Sequence, residues 1–290
     1  MTIRNKSIGW VLLLALGVLL AIPNAQSKPA NKKAKPAAAE ATPAPETTPS
    51  LEPKALDILK AASNRLAAVG TMKFNAVHFY ENPSRQGHPL AFTTKSEVTL
   101  QRPDKLRVIM PGDGPASEFY YDGKKMMAYA PAENLVAVAD APPTIDAALE
   151  QAYHSAAIYF PFDDWIVADP YKEMSEGMNL AYYVGQSKVV GGTTTDMVAY
   201  IDHGAFIQAW IGAEDKLPRL LHAVYLDDPE RLRHTLLLSD WQLDPVVPAD
   251  TFTSANAASA NPMPFAHPHP EASPGAEPTA KGKPPKKQQN

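Results

Sequence analysis

The stretch YYDGKKMMAYAPAENLVAV, residues 120–138, has the pattern of a strand, an Asp-Gly turn, a second strand, a short loop and a third strand. Asp-Gly between apolar runs predicts a β-hairpin. The strands do not alternate cleanly, because residues 126–129 and 135–138 place apolar groups on both faces. A half-buried strand normally alternates apolar and polar residues. The second face therefore needs a cover of protein, lipid or another chain.

The same two-faced pattern recurs in later strand-like runs, LAYYV, FIQAWI, RLLHAVYL and TLLL. If one face packs on helices, the other needs a cover or a ligand, because large apolar patches on soluble monomers usually have a function. A second interpretation is a sheet that curls until its second face is its own core, as in a small closed barrel. The pattern alone leaves both open.

Helical periodicity is found in three segments. Residues 54–70 carry an apolar stripe ending at Gly70, residues 144–160 follow the candidate N-cap Thr144, and residues 169–177 begin at the candidate N-cap Asp169. The remaining segments are strand-like and are separated by turn signals. The order predicts a mainly β, α+β domain: a mostly antiparallel meander with one helix in front and two inserted mid-sequence.

Composition divides the 290 residues into four parts. Residues 1–27 resemble a signal peptide, with Arg4 and Lys6 before an apolar run and small residues at 25–27. Residues 28–52 predict a disordered Ala/Pro/Lys-rich linker, and 257–290 a disordered Pro-rich basic tail. One domain, 53–256, lies between them. The predicted location is the periplasm; the alternative is an N-terminal anchor retained in the inner membrane.

Charge and cysteine content exclude some classes of protein. Residues 53–256 hold 17 Lys+Arg and 26 Asp+Glu, a net charge of 17 − 26 = −9. A domain this acidic is not expected to bind nucleic acid. The chain has no cysteine, so neither a disulfide nor a lipid-anchoring cysteine is available.

Motifs for catalysis or metal binding are absent from the sequence. There is no G-x-S-x-G elbow, P-loop, G-x-G-x-x-G or H-E-x-x-H. His222 and His234 fall in adjacent strand-like segments and could pair across a sheet, but ordinary strand histidines are favoured over a metal site there. The carboxylates at 163–164 and 227–230 sit beside turns and read as solvated loops. We therefore predict no catalytic residue, no metal, no cofactor and no enzyme.

Several blocks of the sequence carry a resemblance to a known family. YYDGKKMMAYAPAENLVAVADAPPTIDAAL, ADPYKEM, YVGQSKVVGGTTTDMVAY, AWIGAEDKLPRLLHAVYLDDP and LSDWQLDPVVPADTFT resemble a family of predicted periplasmic proteins of unknown function. That family is similar to the LolA- and LppX-like lipoprotein carriers. The resemblance implies a curved antiparallel half-barrel, with helices over its concave face and an apolar cavity for acyl chains between them.

This resemblance implies reversible binding of a lipid, a lipoprotein acyl chain or another apolar ligand, with transient membrane contact and residues 144–160 as a lid. The alternative is a non-enzymatic structural or interaction module of the envelope, with a self-packed core and with the tails binding an envelope protein partner. For either function the decisive question is whether side chains fill the space between sheet and helices. The candidate cavity residues are Tyr153, Phe160, Trp165, Met126, Tyr129 and Trp210.

Overall fold

The computed structural model of the chain describes residues 50–112 and 115–267. The predicted signal peptide and nearly all of the predicted linker lie outside the described residues, as does the chain from residue 268 onward. The helices are α1 (Pro53–Ala67), α2 (Ile145–Ala156), α3 (Asp163–Ile166), α4 (Pro170–Glu176) and α5 (Ala255–Ser259). The strands are β1 (Thr71–Pro83), β2 (Pro89–Gln101), β3 (Lys105–Met110), β4 (Ser117–Tyr121), β5 (Lys125–Ala130), β6 (Leu135–Asp140), β7 (Leu180–Ser187), β8 (Thr195–Asp202), β9 (Ala205–Gly212), β10 (Pro218–Tyr225), β11 (Arg233–Leu243) and β12 (Asn261–Met263).

All twelve strands form one open, curved sheet in the order β12-β6-β5-β4-β3-β2-β1-β11-β10-β9-β8-β7. Two meanders, β1 to β6 and β7 to β11, meet where β1 pairs with β11. Every pairing is antiparallel except that of β12 with β6. The predicted fold class, a mainly antiparallel curved sheet with covering helices, is confirmed.

The front helix α1 packs along the inner face of the sheet, the face that helices α1 to α4 cover. Its residues Ala55, Leu59, Ala62 and Leu66 are fully buried, as helical spacing predicts. Ser63 lies in the same stripe and is also buried. Its Oγ accepts a hydrogen bond from the Tyr171 backbone N–H at 2.9 Å, so a small polar residue joins α1 to α4.

The predicted helix starts between β6 and β7 are confirmed. The Thr144 hydroxyl accepts a hydrogen bond from Ala147 N–H at 3.3 Å, and the Asp169 carboxylate accepts one from Lys172 N–H at 3.1 Å. These bonds satisfy backbone donors that a first helical turn leaves unpaired. Three helices, not two, separate the meanders, because the four-residue α3 lies between α2 and α4.

The hairpin of residues 120–138 has the predicted Asp-Gly turn. The Asp122 carboxylate accepts hydrogen bonds from the backbone N–H groups of Lys124 and Lys125, both at 2.9 Å. Gly123 has φ +93°, and a Cβ there would lie 2.6 Å from a carboxylate oxygen of Asp104. The turn therefore requires glycine. Strands β5 and β6 are neighbours, as predicted.

Protein covers the second face of these two strands. Tyr129 and Val136 pair across β5 and β6 and are buried with Ala257 of α5 in a small cluster of their own. The packed chain thus extends past residue 256, where the sequence analysis placed the end of the domain. It continues through β12 to Met263, and Phe265 packs partly against the main core.

Candidate functional site

The candidate site is the seam, the space between the inner face of the sheet and helices α2 and α3. A row of five aromatic rings crosses it. The centroid distances are 5.4 Å for Phe119–Phe160, 5.6 Å for Phe160–Phe162, 5.4 Å for Phe162–Phe74 and 4.5 Å for Phe74–Trp241. The rings come from β4, from the chain between α2 and α3, from β1 and from β11. Aromatic contacts at these distances add to the burial of apolar area.

Two rings of this row come from the plug loop, residues 157–162, which has no regular secondary structure. Ala157 ends α2 in the left-handed conformation (φ 55°), and its N–H bonds back to the Tyr153 carbonyl oxygen at 3.0 Å. The chain then turns inward and alternates, so Phe160 and Phe162 are buried while Tyr159 is 53% exposed. The seam is thus filled by the side chains of a loop.

Four hydrogen bonds position α2 and its flanks: three join them to the sheet and its β2–β3 turn, and one joins α2 to the chain between α3 and α4. Ile145 N–H donates to the Pro103 carbonyl oxygen at 2.8 Å, and Gln151 Nε2 donates to the Asp140 carbonyl oxygen at 2.8 Å. The Tyr121 hydroxyl donates to the Pro142 carbonyl oxygen at 2.5 Å, and the Asp146 carboxylate accepts from Ala168 N–H at 3.1 Å. Burial, reinforced by Asp104 and Asp122, raises the pKa of Tyr121 to about 12, so this hydroxyl stays protonated at neutral pH.

Helix α2 buries little apolar surface against the rest of the protein. Only Ile145, Ala148 and Ala152 of this helix are buried, with Leu149 partly buried against the core. Two of the three buried side chains are single methyl groups, which remove little apolar surface from water. Much of what positions α2 is therefore hydrogen bonding at its start and at Gln151.

The structure brings together three of the six cavity candidates. Met126 of β5, Phe160 of the plug loop and Trp165 of α3 are all buried in the main core. Tyr153 is half-buried on α2, with its ring edge-on to His154 at 5.3 Å.

Tyr129 and Trp210 lie elsewhere. Tyr129 packs in the small cluster with α5, on the opposite side of β5 from Met126. Trp210 stands between the buried core residues Ala209 and Ile211, so the alternation of a strand turns it to the outer face. There its register partners on the adjacent strands are Met197 and Leu220. Strands β5 and β9 carry apolar residues on both faces. The sequence alone therefore did not reveal which face Tyr129 and Trp210 would take.

The best-formed clefts among the described residues are not apolar cavities. One of about 270 Å³ is lined mostly by charged side chains, including Asp146, Asp169 and Glu173. A second of about 340 Å³ lies beside Asp215, Arg219 and Trp241. In this structure the packed rings of the aromatic row occupy the seam.

A second aromatic cluster lies beyond the row, toward the tip of the β1–β2 hairpin. His78 Nε2 lies 3.1 Å from His234 Nδ1, and the rings of Tyr80 and Tyr225 lie 5.2 Å from His78 and 4.9 Å from His234. Burial and then His234 lower the pKa of His78 to about 4. Burial also lowers the pKa of His234, against an opposing effect of Glu81.

The histidine that pairs with His234 is thus His78 and not His222. His222 instead shares a hydrogen bond with Thr235 Oγ1 at 2.9 Å, which is the residue opposite it on β11. Within residues 50–112 and 115–267, no group of three or more His, Asp or Glu side chains is arranged to hold a metal ion. The sequence HPHP at 267–270, a weak candidate for metal binding in the predicted tail, falls almost wholly outside the described residues.

Three residues in or near the seam are not among the six cavity candidates predicted from the sequence. Phe74 and Phe162 complete the aromatic row, and Arg102 lies at the junction of β2 with α2. The spacing Phe-Pro-Phe at 160–162 was the available signal for the loop, since residues two apart in an extended chain share one face.

In the described chain, no helix is long and apolar enough to cross a bilayer.

The chain matches one family model and aligns with several solved structures. A family model described as "Predicted periplasmic protein (DUF2092)" matches residues 55–266. No curated protein matches the chain.

Among solved structures, 70% of the chain aligns with 62% of a chain in the Pseudomonas aeruginosa MucA/MucB complex, at 13% identity and a TM-score of 0.40. LprF from Mycobacterium bovis aligns at 16% identity and 0.39, over 69% of this chain and 97% of LprF. The LolA superfamily protein NE2245 from Nitrosomonas europaea aligns at 10% identity and 0.33, over 69% and 97%. The alignment covers less than two thirds of the MucB chains, 64% and 62%.

Proposed function

Because the chain belongs to the DUF2092 family of predicted periplasmic proteins, we propose that it binds an apolar ligand reversibly in the seam. The ligand class is a lipid or the acyl chain of a lipoprotein, taken up during transient contact with a membrane. The observation that carries the proposal is the plug loop. A loop, and not a strand or helix, supplies the Phe160 and Phe162 rings that occupy the apolar seam.

A plug of this kind can be displaced without unfolding the sheet. The two rings leave behind an inner face lined by Phe74, Phe119 and Met126, which is apolar enough to receive a hydrocarbon chain. Each buried CH₂ contributes about 0.8 kcal/mol, so an acyl chain of eight buried methylenes offsets about 6 kcal/mol of opening cost. Helix α2 moves with the plug, because the two are continuous and α2 buries few large side chains.

A second candidate function is a non-enzymatic envelope module that binds a protein partner. Its specific support is that the seam is filled and that the two best-formed clefts carry charged side chains. In that case α2 and the plug loop are permanent parts of the core, and binding takes place on the outer surface. The two functions differ in whether the seam ever opens to a ligand.

The direct experiment is native mass spectrometry of the protein purified from its own periplasm. Co-purified lipid supports ligand binding, and repeated absence of lipid favours the interaction module. Uptake of the fluorescent apolar probe 1-N-phenylnaphthylamine by the delipidated protein gives the second measurement.

A matched pair of variants links uptake to the lid. Gln151→Ala removes the hydrogen bond between α2 and Asp140 and is expected to speed probe uptake severalfold. Gln186→Ala removes a similar side-chain bond, to Asp196 at 3.0 Å, far along the sheet and serves as the control. Equal uptake rates in both variants and the parent contradict a lid role for α2.

A further inference from the structure

Arg102 has hydrogen-bonding capacity that the described chain does not use. Its Nε and Nη2 atoms are buried and have no hydrogen-bond acceptor among residues 50–112 and 115–267. Leaving donors of a cationic group both buried and unmatched destabilises the fold, typically by more than a neutral donor does. An arginine with a purely structural role normally has a hydrogen-bond acceptor for each of its buried donors.

The two unmatched donors belong together chemically. Nε and Nη2 lie on one edge of the guanidinium plane, and their N–H bonds point in parallel. This edge matches the two oxygens of a carboxylate or phosphate and forms paired hydrogen bonds with them. These two donors therefore make Arg102 suited to bind an oxyanion.

Arg102 is also placed where the lid begins. It directly follows β2, whose Leu100 is fully buried in the core, and its N–H donates to the Gly70 carbonyl oxygen at 2.8 Å. The next residue, Pro103, accepts the hydrogen bond from Ile145 in the first turn of α2. The backbone of Arg102 thus lies where the end of α1, the end of β2 and the start of α2 meet, and its guanidinium is near enough to Asp146 in the first turn of α2 to be affected by that charge.

The carboxylate that acts on Arg102 is engaged elsewhere. Asp146 directs both of its oxygens to Ala168 N–H, at 3.1 and 3.2 Å. Burial lowers the pKa of Arg102, and the negative charge of Asp146 opposes that effect. Asp146 therefore offsets part of the cost of burying the positive charge. The positive charge is kept while the paired donor edge stays unoccupied.

We propose that Arg102 binds the oxyanion headgroup, a carboxylate or phosphate, of the apolar ligand whose chain occupies the seam. This inference rests on the proposed function and narrows its ligand to anionic amphiphiles. Because Nε and Nη2 are covered in the closed structure, the headgroup reaches them when the first turn of α2 lifts from Pro103. The ligand then lies with its headgroup at the base of the lid and its chain along the aromatic row.

The test compares ligands that differ only in the headgroup. Dodecanoate, dodecyl phosphate and dodecanol are titrated below their aggregation limits into the delipidated full chain by calorimetry, with inorganic phosphate as the free-anion arm. The parent protein is expected to bind dodecanoate about tenfold more tightly than dodecanol, since one charge-assisted pair of hydrogen bonds is worth at least that factor. Arg102→Gln is expected to remove this preference and to leave dodecanol affinity unchanged, whereas Arg102→Lys keeps part of it.

Arg107→Gln is the matched control. Arg107 lies on β3 between the buried residues Leu106 and Val108, so it faces away from the core and its replacement leaves the preference intact. Equal binding of dodecanoate and dodecanol by the parent overturns the headgroup site but not the seam. Binding of neither overturns both, and binding of inorganic phosphate alone shows a free-anion site and overturns the lipid assignment.

The folding stability of Arg102→Gln, measured by urea unfolding, separates this role from a structural one. Stability equal to or above that of the parent is expected, because the replaced donors are unmatched. A large loss of stability in both Arg102→Gln and Arg102→Lys assigns Arg102 to the scaffold and overturns the proposal.

Discussion

Phe160 and Phe162 stack on each other with ring centroids 5.6 Å apart and planes 17° from parallel, although Pro161 separates them in a loop. Phe160 also meets Phe119 of β4, and Phe162 meets Phe74 of β1. Two residues of one loop therefore bridge two strands that are not adjacent in the sheet. This bridge fills the seam, and under the proposed function it makes the plug loop the element through which stability and ligand uptake are coupled.

Replacing Phe162 by alanine should lower the free energy of unfolding by about 3 to 5 kcal/mol, because it removes a fully buried ring from the aromatic row. Urea unfolding followed by tryptophan fluorescence measures the loss. The folded variant is expected to bind 1-N-phenylnaphthylamine more tightly than the parent, since the space left by the ring is apolar. If the alanine variant does not fold, Phe162→Leu takes its place in the binding measurement. Its free energy of unfolding should be about 1 kcal/mol lower than that of the parent.

Phe92→Ala is the control for this prediction. Phe92 is an aromatic strand residue outside the row and is 43% exposed, so its loss should cost less than about 1 kcal/mol and leave probe affinity unchanged. If Phe92→Ala and Phe162→Ala cost the same, the aromatic row has no special part in holding the seam closed.

Tyr121→Phe should destabilise the protein by about 1 to 2 kcal/mol, because it leaves the Pro142 carbonyl oxygen without its donor. The variant should also change the alkaline limit of stability. The folded pKa of Tyr121 is raised to about 12, above the usual value of 10, so its contribution is full below pH 10 and is lost as the pH rises toward 12. Unfolding free energies at pH 8, 10 and 11 should therefore fall less steeply in the variant. Parallel slopes in the two proteins contradict this assignment.

Local signals predicted local structure well. The hairpin at Asp122-Gly123 and the helix starts at Thr144 and Asp169 depend on hydrogen bonds that span only a few residues, and all three are confirmed. The stripe of α1 was visible for the same reason, since helical spacing puts its buried residues on one face.

Long-range structure was not visible in the sequence. The pairing of β1 with β11 joins Phe79 to Thr235, more than a hundred residues away, and no local pattern specifies it. In β9 the residues on both faces are apolar, so alternation could not show that Trp210 faces outward while Ala209 faces the core. The aromatic row combines four separate segments, and its closure by side chains is a property of their packing.

Ending the chain at residue 256 should destabilise the domain by about 2 to 4 kcal/mol, because it removes Ala257 from the second face of β5 and β6 and the edge strand β12 from its pairing with β6. Exposure of Tyr129 would be seen as a change in tyrosine fluorescence. A chain ending at residue 267 retains Ala257, Met263 and Phe265 and should unfold like the full chain. Equal stability of the two truncated chains would show that the C-terminal segment adds nothing to the fold.

The histidine pair predicts how stability depends on acid. The folded pKa of His78 is about 4, below its usual 6.5, because burial and His234 disfavour its charged form. Between pH 6.5 and about 4 the unfolded chain therefore binds more protons than the folded one. The stabilisation is full above pH 6.5 and is lost as the pH falls toward 4. After discounting for partial exposure, the loss due to this residue is about 1 to 2 kcal/mol.

His78→Gln should remove that part of the acid slope, so the free energies of unfolding of variant and parent should converge between pH 7 and pH 4.5. The comparison is made by urea unfolding at several pH values, since carboxylates elsewhere titrate equally in both proteins and cancel in the difference. His88→Gln is the control, because His88 is exposed on the β1–β2 turn and has no part in the pair. A constant difference between His78→Gln and the parent across this range would mean that the 3.1 Å contact between His78 and His234 does not control protonation.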